Sequence, residues 1–197
     1  MVYTYENQSR HCYKGTDILI NKFNIMDQNI LDKVDADITR KNIALLNMNP
    51  IKGNFDLIHL QNIHSAIFKD LYPFAGKIRD EIISKGTTFA LPRFIKSYSN
   101  DLFANLKKEH YLLNKSVDET ANRLSYYMSE INAIHPFREG NGRSNREFIR
   151  VLARRCGFYI DWSRLSKEEL LNASIRSMSN CDELEKLIKE TIIKPIG

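Results

Sequence analysis

Residues 135–146 of this 197-residue chain read HPFREGNGRSNR, and they lie between two segments that have the apolar spacing of α-helices. Upstream, Ser116 and Glu119 form the pattern of a capping box, and apolar residues follow at steps of three and four until Pro136 discourages further helix. Downstream, a second helix is expected at about 144–156. The stretch is therefore predicted to be a loop that joins the end of one helix to the start of the next.

Helical spacing also predominates in the rest of the chain. Asp56 can cap a helix whose apolar positions continue to Leu71. Further helices are predicted at about 27–48, 93–114, 167–178 and 181–193. The exception is residues 78–91, where β-branched and apolar residues flank a turn at Lys85 and Gly86, a pattern typical of a β-hairpin. The predicted fold class is all-α, mainly helical, with one small β-hairpin.

Composition indicates one globular domain. The chain is 43% hydrophobic and 27% charged, with a net charge of +5, and it has no internal repeat or linker that would divide it. We expect a single domain over residues 1–197, with an N-terminal helical part at about 1–55 and a core at 56–193. The longest apolar runs are far below the ~18 residues of a membrane helix, and three widely spaced cysteines do not suggest a disulfide scaffold or a zinc site. No secretory signal pattern is present, so we expect a cytoplasmic protein without membrane contact.

The loop combines residue types that bind phosphate. Gly140 and Gly142 allow positive φ and a close approach of the backbone, so that successive N–H groups can form a nest for phosphate oxygens. The start of the following helix adds the positive end of its dipole, and Arg143, Arg146 and Arg150 lie on one of its faces. The sequence therefore predicts a site for two or three phosphate groups.

Two further loop residues indicate chemistry on a metal nucleotide. Glu139 is an oxygen ligand of the kind that Mg²⁺ accepts when phosphates and water complete its coordination. His135 is the only loop residue able to accept a proton near pH 7, and it is the candidate base. Taken separately, His135 could be a histidine of the core, as we interpret His64. Glu139 and the arginines could form a salt-bridged surface, and the two glycines could simply be turn residues. Their convergence within twelve residues favours a catalytic site.

The same stretch matches the signature HPFx[D/E]GNGRxxR of the Fic (filamentation induced by cAMP) family at every specified position. YPFAGKIR at 72–79 and IISKG at 82–86 also resemble the segments that precede this signature in Fic toxins. The resemblance covers roughly residues 1–193. It implies a helical core with a β-hairpin flap over the active-site loop, and transfer of AMP from ATP to a hydroxyl side chain of a protein.

The resemblance also implies a role for each matched residue. His135 would take the proton from a Tyr, Ser or Thr hydroxyl of the target as that oxygen attacks the α-phosphorus, and Glu139 would hold Mg²⁺. The residues implied to bind ATP are Phe137, Gly140, Asn141, Gly142, Arg143 and Arg146. The flap at 78–91 would bind an extended segment of the target edge to edge. Its target-binding residues would be Ile82, Ile83, Ser84, Lys85, Gly86 and Thr87.

Many Fic proteins are inhibited by a glutamate in a [S/T]xxxE[G/N] helix that reaches the second arginine of the signature. In this chain Ser179 and Glu183 fit the first part of that pattern, but Leu184 stands where Gly or Asn is expected. The plainer interpretation is a helix start, so the inhibitory residue is expected from a separate small helical antitoxin, and an internal brake stays open as the alternative. By the same resemblance, type II topoisomerase subunits are candidate targets.

Three other functions fit parts of the sequence. The first is a kinase of the Doc type, which transfers phosphate. In kinases of that type the signature differs around the glycines, whereas this chain keeps the glycines. A nucleic-acid-binding module is suggested by a pI near 9.0 and the arginine-rich segment 138–155, but a phosphate site accounts for half of those arginines and no direct nucleic-acid contact is expected. An inactive scaffold that keeps the fold for partner binding is disfavoured by the intact signature.

Overall fold

The structure, a computed structural model, describes residues 9–84 and 88–193, and α-helices dominate both ranges. The helices are α1 (Gln28–Met48), α2 (Leu57–Phe68), α3 (Ile95–Lys108), α4 (Val117–Ile134), α5 (Asn141–Arg155), α6 (Lys167–Arg176) and α7 (Asp182–Thr191). A short antiparallel sheet pairs β1 (Tyr159–Ile160) with β2 (Ile192–Ile193). The mainly helical fold predicted from the sequence is confirmed. No helix in the described ranges is long and apolar enough to cross a membrane.

Polar side chains begin α2 and α4 where the sequence predicted them. The Asp56 carboxylate accepts a hydrogen bond from the N–H of His59, and Ser116 and Glu119 form the expected capping box. Each cap satisfies an amide that the helix leaves unpaired and stabilises it by about 1 kcal/mol. By contrast, no side chain caps the start of α5, so its first amides remain open to a ligand.

The core lies where α2, α4 and α5 meet. Helix α5 packs on both α2 and α4, and α7 packs on the other side of α4. The side chains in their shared interior are fully buried, among them Ile63, Ile67, Leu124, Phe148 and Leu152. Close packing of this kind holds both helices rigidly, so the loop between α4 and α5 is presented from a fixed base.

The segment around α3 departs from the single helix predicted at about 93–114. Helix α3 ends at Lys108, and the following residues His110, Tyr111 and Leu112 have φ angles of 53°, 56° and 62°. Left-handed backbone of this kind cannot continue a right-handed helix. The apolar periodicity correctly predicted a helix in this segment, but the helix ends at Lys108 and does not continue to about residue 114.

The hairpin predicted at 78–91 is smaller than expected. Among the described residues it consists of one antiparallel bridge between Ser84 and Thr88, and its turn, residues 85–87, lies outside the described residues. The arms do approach each other antiparallel, but amides from both arms donate to carbonyls near the end of α4. In the predicted N-terminal helical part, residues 9–27 form turns and a single bridge before α1 begins.

Candidate active site

A cavity of about 490 Å³ opens where the loop after α4 meets the start of α5 and one side of α6. Its polar side is lined by His135, Glu139, Gly140, Asn141, Gly142, Arg143 and Arg146. Its apolar side is lined by Phe89, Met128, Leu170, Leu171, Ile175 and Met178. The volume is in the ordinary range for a small-molecule site. The structure thus brings seven of the residues predicted from the loop together around one space.

His135 follows the last residue of α4 in a left-handed conformation, with φ 49° and ψ 61°. Such a conformation costs a residue with a Cβ about 1–3 kcal/mol and is found most often at functional sites. Its Nδ1 lies 3.1 Å from the carbonyl oxygen of Asn132, and the ring of Phe89 stacks on the imidazole at 3.7 Å. Because a carbonyl oxygen can only accept, Nδ1 carries the proton in the neutral ring. Nε2 then holds the lone pair that a general base needs.

The first turn of α5 presents an uncapped helix N-terminus to the cavity. Gly140 precedes it with φ 80°, and a Cβ at this position would lie 2.2 Å from Cζ of Phe68, so no larger residue fits without movement. The amides of Asn141, Gly142 and Arg143 have no intrahelical acceptor, and no side chain caps them. These amides and the positive end of the helix dipole together form an anion site.

The two glycines of the loop have different roles. Gly140 needs its positive φ, as predicted, but Gly142 lies within α5, where the atom nearest to an added Cβ would be Nη1 of Arg146 at 3.4 Å. The prediction of a positive φ at Gly142 is wrong, because the helix has already begun at Asn141. The amide of Gly140 donates to Oε1 of Glu139 at 2.9 Å, so the open amides begin one residue later than predicted.

The two arginines of the cavity differ in their partners. Arg143 forms an ion pair with Asp35 of α1, donates to Oγ1 of Thr39 at 3.0 Å and lies over the ring of Phe68. Arg146 has no ion pair or side-chain hydrogen bond with any residue in the described part of the chain. Burial, together with the charge of Arg143, lowers the pKa of Arg146 to about 10, so it is still charged at pH 7. A half-buried cation without a counter-ion is partly desolvated at a cost, and an anionic ligand would offset that cost.

Arg150 does not join the phosphate site, and that prediction is wrong. Its guanidinium forms a buried ion pair with Glu147 at 2.6 Å and donates to the carbonyl of Leu46 at 3.0 Å. Arg138, from the same basic segment, is also buried and donates to Oγ of Ser9 at 3.4 Å. The spacing of three and four residues was correct, but internal partners occupy these side chains. Two of the arginines that suggested a nucleic-acid module thus have internal partners.

Phe137, which the resemblance assigned to ATP binding, packs on the buried side of the loop and does not line the cavity. Its ring is buried and stacks on His64 at 3.9 Å, and the side chain of Asn141 bonds both its N–H and its carbonyl. Nδ1 of His64 accepts the N–H of Gly76, and its Nε2 donates to the carbonyl of Glu139 at 2.9 Å. Burial lowers the pKa of His64 to about 4. His64 is therefore a neutral core histidine, as interpreted from the sequence.

Glu139 is the candidate ligand for Mg²⁺. Its carboxylate is partly exposed at the uncapped start of α5, and Oε1 lies 3.9 Å from the guanidinium of Arg143. No group of three or more His, Cys, Asp or Glu side chains in residues 9–84 and 88–193 could hold a metal ion by itself. A single hard carboxylate suits a Mg²⁺ that takes its other ligands from phosphates and water. The residues present therefore fit a metal that arrives with a nucleotide.

The flap residues have contrasting environments. Ile82 is exposed, Ser84 is half-buried and Ile83 is almost fully buried. The side chain of Ile83 packs inward, so an extended segment bound here would meet the backbone at that position. Lys85, Gly86 and Thr87 lie outside the described residues.

Three residues that sequence reasoning missed also belong to the site. Phe89 and Lys167 line the cavity, and Asp35 pairs with Arg143, which lies 108 residues further along the chain. No local pattern separates Asp35 from the other acidic residues of α1, because its partner is distant in sequence. Phe89 follows the predicted flap turn, but its stacking on the imidazole of His135 depends on how the flap folds back.

Comparisons with known proteins agree with this geometry. The Fic/DOC family model matches residues 54–153. The chain is 39% identical over 179 residues to the protein adenylyltransferase VbhT of Bartonella schoenbuchensis, an alignment that covers 90% of this chain and 37% of VbhT. It is 39% identical over 172 residues to the probable protein adenylyltransferase y4lH of Sinorhizobium fredii, with 85% and 87% covered. The crystal structure of the Bartonella tribocorum effector BepC with bound AMPPNP matches with a TM-score of 0.87 at 28% identity, covering 93% of this chain and 96% of that chain.

The fold and the site define an enzyme of the nucleotidyltransferase class, the class to which both named relatives belong. The chain belongs to the Fic/DOC family. It spans little more than a third of VbhT but most of y4lH.

Proposed function

We propose that this chain is a protein adenylyltransferase that transfers AMP from Mg-ATP to the hydroxyl group of a Tyr, Ser or Thr residue in a target protein. The observation that carries the proposal is the charged guanidinium of Arg146, which has no counter-ion among the described residues. It lines one cavity with the open amides of α5 and with His135. A polyphosphate supplies the missing negative charge, and the histidine supplies the base for an attacking alcohol.

In this mechanism the side chains mainly position the two substrates and neutralise the charge of the phosphates, which is what transfer at phosphorus requires. Arg143, Arg146 and the first amides of α5 bind the phosphates. Mg²⁺ held by Glu139 and phosphate oxygens would further neutralise the triphosphate. Nε2 of His135 accepts the proton of the target hydroxyl as its oxygen bonds to the α-phosphorus. The bond between that phosphorus and the bridging oxygen to the β-phosphate breaks, and pyrophosphate leaves.

The remaining surfaces of the cavity fit the other parts of the two substrates. Its apolar side, built largely by α6, is suited to cover the adenine ring. Phe89 of the second flap arm lines the same space, and an extended segment of the target would pair with the flap. The proposal specifies only that the target carries a reactive hydroxyl side chain. That the targets are type II topoisomerase subunits stays a prediction from the family resemblance.

The proposal includes control by a separate small helical antitoxin. A glutamate from such a partner, placed against Arg146, would compete with the terminal phosphate for the same guanidinium. The internal candidate Glu183 is instead half-buried and pairs with Arg176, with 2.6 Å between Arg176 Nη2 and Glu183 Oε1. This ion pair favours the external brake over the internal one.

The decisive test is His135→Ala. We expect AMP transfer to fall about 10²-fold or more, the usual contribution of a general base, while Mg-ATP binding is largely retained. Wild-type and variant chains are incubated with labelled ATP in cell lysate, labelled proteins are identified by mass, and ATP binding is measured by calorimetry. His110→Ala, which removes an exposed histidine, is the matched control.

Each contrary result has a defined meaning. Loss of ATP binding in His135→Ala would make this histidine structural. A phosphate mass shift in place of AMP would favour the Doc-type reaction, and salt-dependent DNA binding without any labelling would favour the nucleic-acid module. A sharp rise of self-modification in Glu183→Gly would assign the brake to the same chain.

A further inference from the structure

Arg79 is a buried arginine at the base of the flap, and it has no role in the mechanism above. Its residue is 3% exposed. The guanidinium donates to four backbone carbonyl oxygens, those of Glu81 at 2.7 Å, Ala90 at 2.6 Å, Ile134 at 3.3 Å and His135 at 2.7 Å.

These four carbonyls come from three segments that must act together in target modification. Glu81 is in the first arm of the flap, Ala90 is in the second arm, and the other two carbonyls end α4 at the catalytic histidine. Backbone bonds reinforce the junction, because the N–H of Arg79 donates to the carbonyl of Pro136 at 2.9 Å and the N–H of Ala90 donates to that of Ala133 at 3.2 Å. One side chain therefore ties both arms to the end of α4.

Physical chemistry explains why arginine suits this position. The last carbonyls of a helix have no intrahelical donor and lie at the negative end of its dipole, so a cation with several N–H groups satisfies both. A planar guanidinium directs five N–H groups in a rigid fork, whereas the ammonium of lysine is a single point charge on a flexible stem. Lysine would keep the charge but could not hold carbonyls of three segments in one geometry.

The second arm of the flap links Arg79 to the proposed base, His135. Phe89 is adjacent to Ala90, and its ring stacks on the imidazole of His135 with an interplanar angle of 15°. Displacement of Ala90 would therefore also move the ring that orients the imidazole.

We propose that Arg79 is a positioning residue that fixes the target-binding flap relative to His135, so that a hydroxyl held by the flap meets the imidazole in the reactive geometry. This inference rests on the proposed function. Arg79 is not among the residues that line the cavity, so it would act through the segments that it joins. A shift of about 1 Å between such groups can lower a rate by about 10²-fold.

The test compares Arg79→Lys with Arg150→Lys, a second buried arginine whose partners lie away from the cavity. We expect Arg79→Lys to lower kcat for AMP transfer about 10-fold or more while the affinity for AMPPNP, measured by calorimetry, stays within about 3-fold of wild type. We also expect the ring signals of His135 in histidine-labelled protein to shift by NMR in Arg79→Lys and to stay unchanged in Arg150→Lys.

The NMR measurement separates failure of this inference from failure of the proposed function. If wild-type protein transfers no AMP, the proposed function fails, but the His135 signals still report whether Arg79 orients the ring. A folded Arg79→Lys variant with unchanged His135 signals and unchanged kcat overturns the inference. Where Arg79→Lys does not fold, Phe89→Leu tests the same link, and wild-type signals of His135 and wild-type kcat in that variant overturn it equally.

Discussion

Arg143 and Arg146 are three residues apart on one helix, yet their surroundings give them different electrostatic tasks. Asp35 meets the charge of Arg143 and also accepts a hydrogen bond from the hydroxyl of Tyr72 at 2.9 Å. This pairing orients Arg143 toward the cavity but neutralises most of its field. Arg146 has no such counter-ion in the described part of the chain, so we assign it the larger share of phosphate binding.

At the residue scale, we predict that Arg146→Ala weakens binding of AMPPNP about 10-fold or more and binding of AMP much less. The reason is that a charge-assisted hydrogen bond to a terminal phosphate is worth about 1.5–3 kcal/mol, and AMP has no such phosphate. Isothermal calorimetry with both nucleotides in the presence of Mg²⁺ measures the difference. Arg154→Ala is the control, because it removes an exposed positive charge from the last turn of the same helix. Equal losses for the two nucleotides, or the same loss in the control, would contradict this assignment.

The C-terminal end of α4 and the N-terminal end of α5 meet at one junction, and only the first of them has side-chain hydrogen-bond partners. The negative end of α4 is closed by Arg79 and by the left-handed turn at His135. The positive end of α5 has no side-chain cap. A side-chain cap would stabilise this end by about 1 kcal/mol, and without one its amides are available to an anionic ligand in the cavity.

At the element scale, we predict that Gly140→Ala destabilises the protein more than Gly157→Ala does. Both glycines have similar φ angles, 80° and 86°, but a Cβ at Gly157 would have no neighbour within 4 Å, whereas one at Gly140 would collide with Phe68. The shared left-handed strain costs about 1–2 kcal/mol in each variant, and the collision adds to it only at Gly140. Urea unfolding of both variants measures the difference. Equal losses would mean that the Phe68 ring moves aside at little cost.

On the scale of the whole molecule, parts of the chain that are distant in sequence support the loop. Helix α1 contributes Asp35 and Thr39 to Arg143, and α2 contributes His64, whose ring joins Gly76 to Glu139. The neutral form of His64 is required for this link, because Nδ1 must accept one bond while Nε2 donates the other. The stability of the fold is therefore coupled to pH through the same histidine that supports the site.

We predict that the protein loses stability as the pH falls from about 6.5 toward 4. The pKa of His64 is about 4 in the folded state against the ordinary value of 6.5, so over this interval the unfolded state binds the proton and the folded state does not. This stability is fully present above pH 6.5, and the loss reaches roughly 3 kcal/mol by pH 4. Burial lowers the pKa of His59 as well, which acts in the same direction.

Urea unfolding at several pH values between 7.5 and 4.5 measures this loss. His64→Gln removes the titrating group and is expected to flatten the pH dependence, while the exposed-site variant His110→Gln is expected to keep the wild-type slope. Parallel curves for His64→Gln and wild type would show that other groups cause the acid sensitivity.

Much of the fold was predictable because the signals for it are local. Apolar spacing marked every long helix, and Ser116 and Asp56 marked two of the starts, since caps and periodicity depend only on near neighbours. The hairpin was predicted less well. Local β propensity could not show that the arms would bond to α4 and to the Arg79 guanidinium in place of a ladder with each other.

The sequence by itself determined that a loop with a histidine and a glycine-rich turn stands between two helices, because its glycine, its proline and the helix periodicity act over a few residues. Only the tertiary structure decided which of the three arginines has no counter-ion among the described residues. Arg143, Arg146 and Arg150 have the same local spacing, but Asp35 and the carbonyl of Leu46 reach two of them from more than a hundred residues away. Electrostatic partners are chosen by distance in space, and folding brings those partners together.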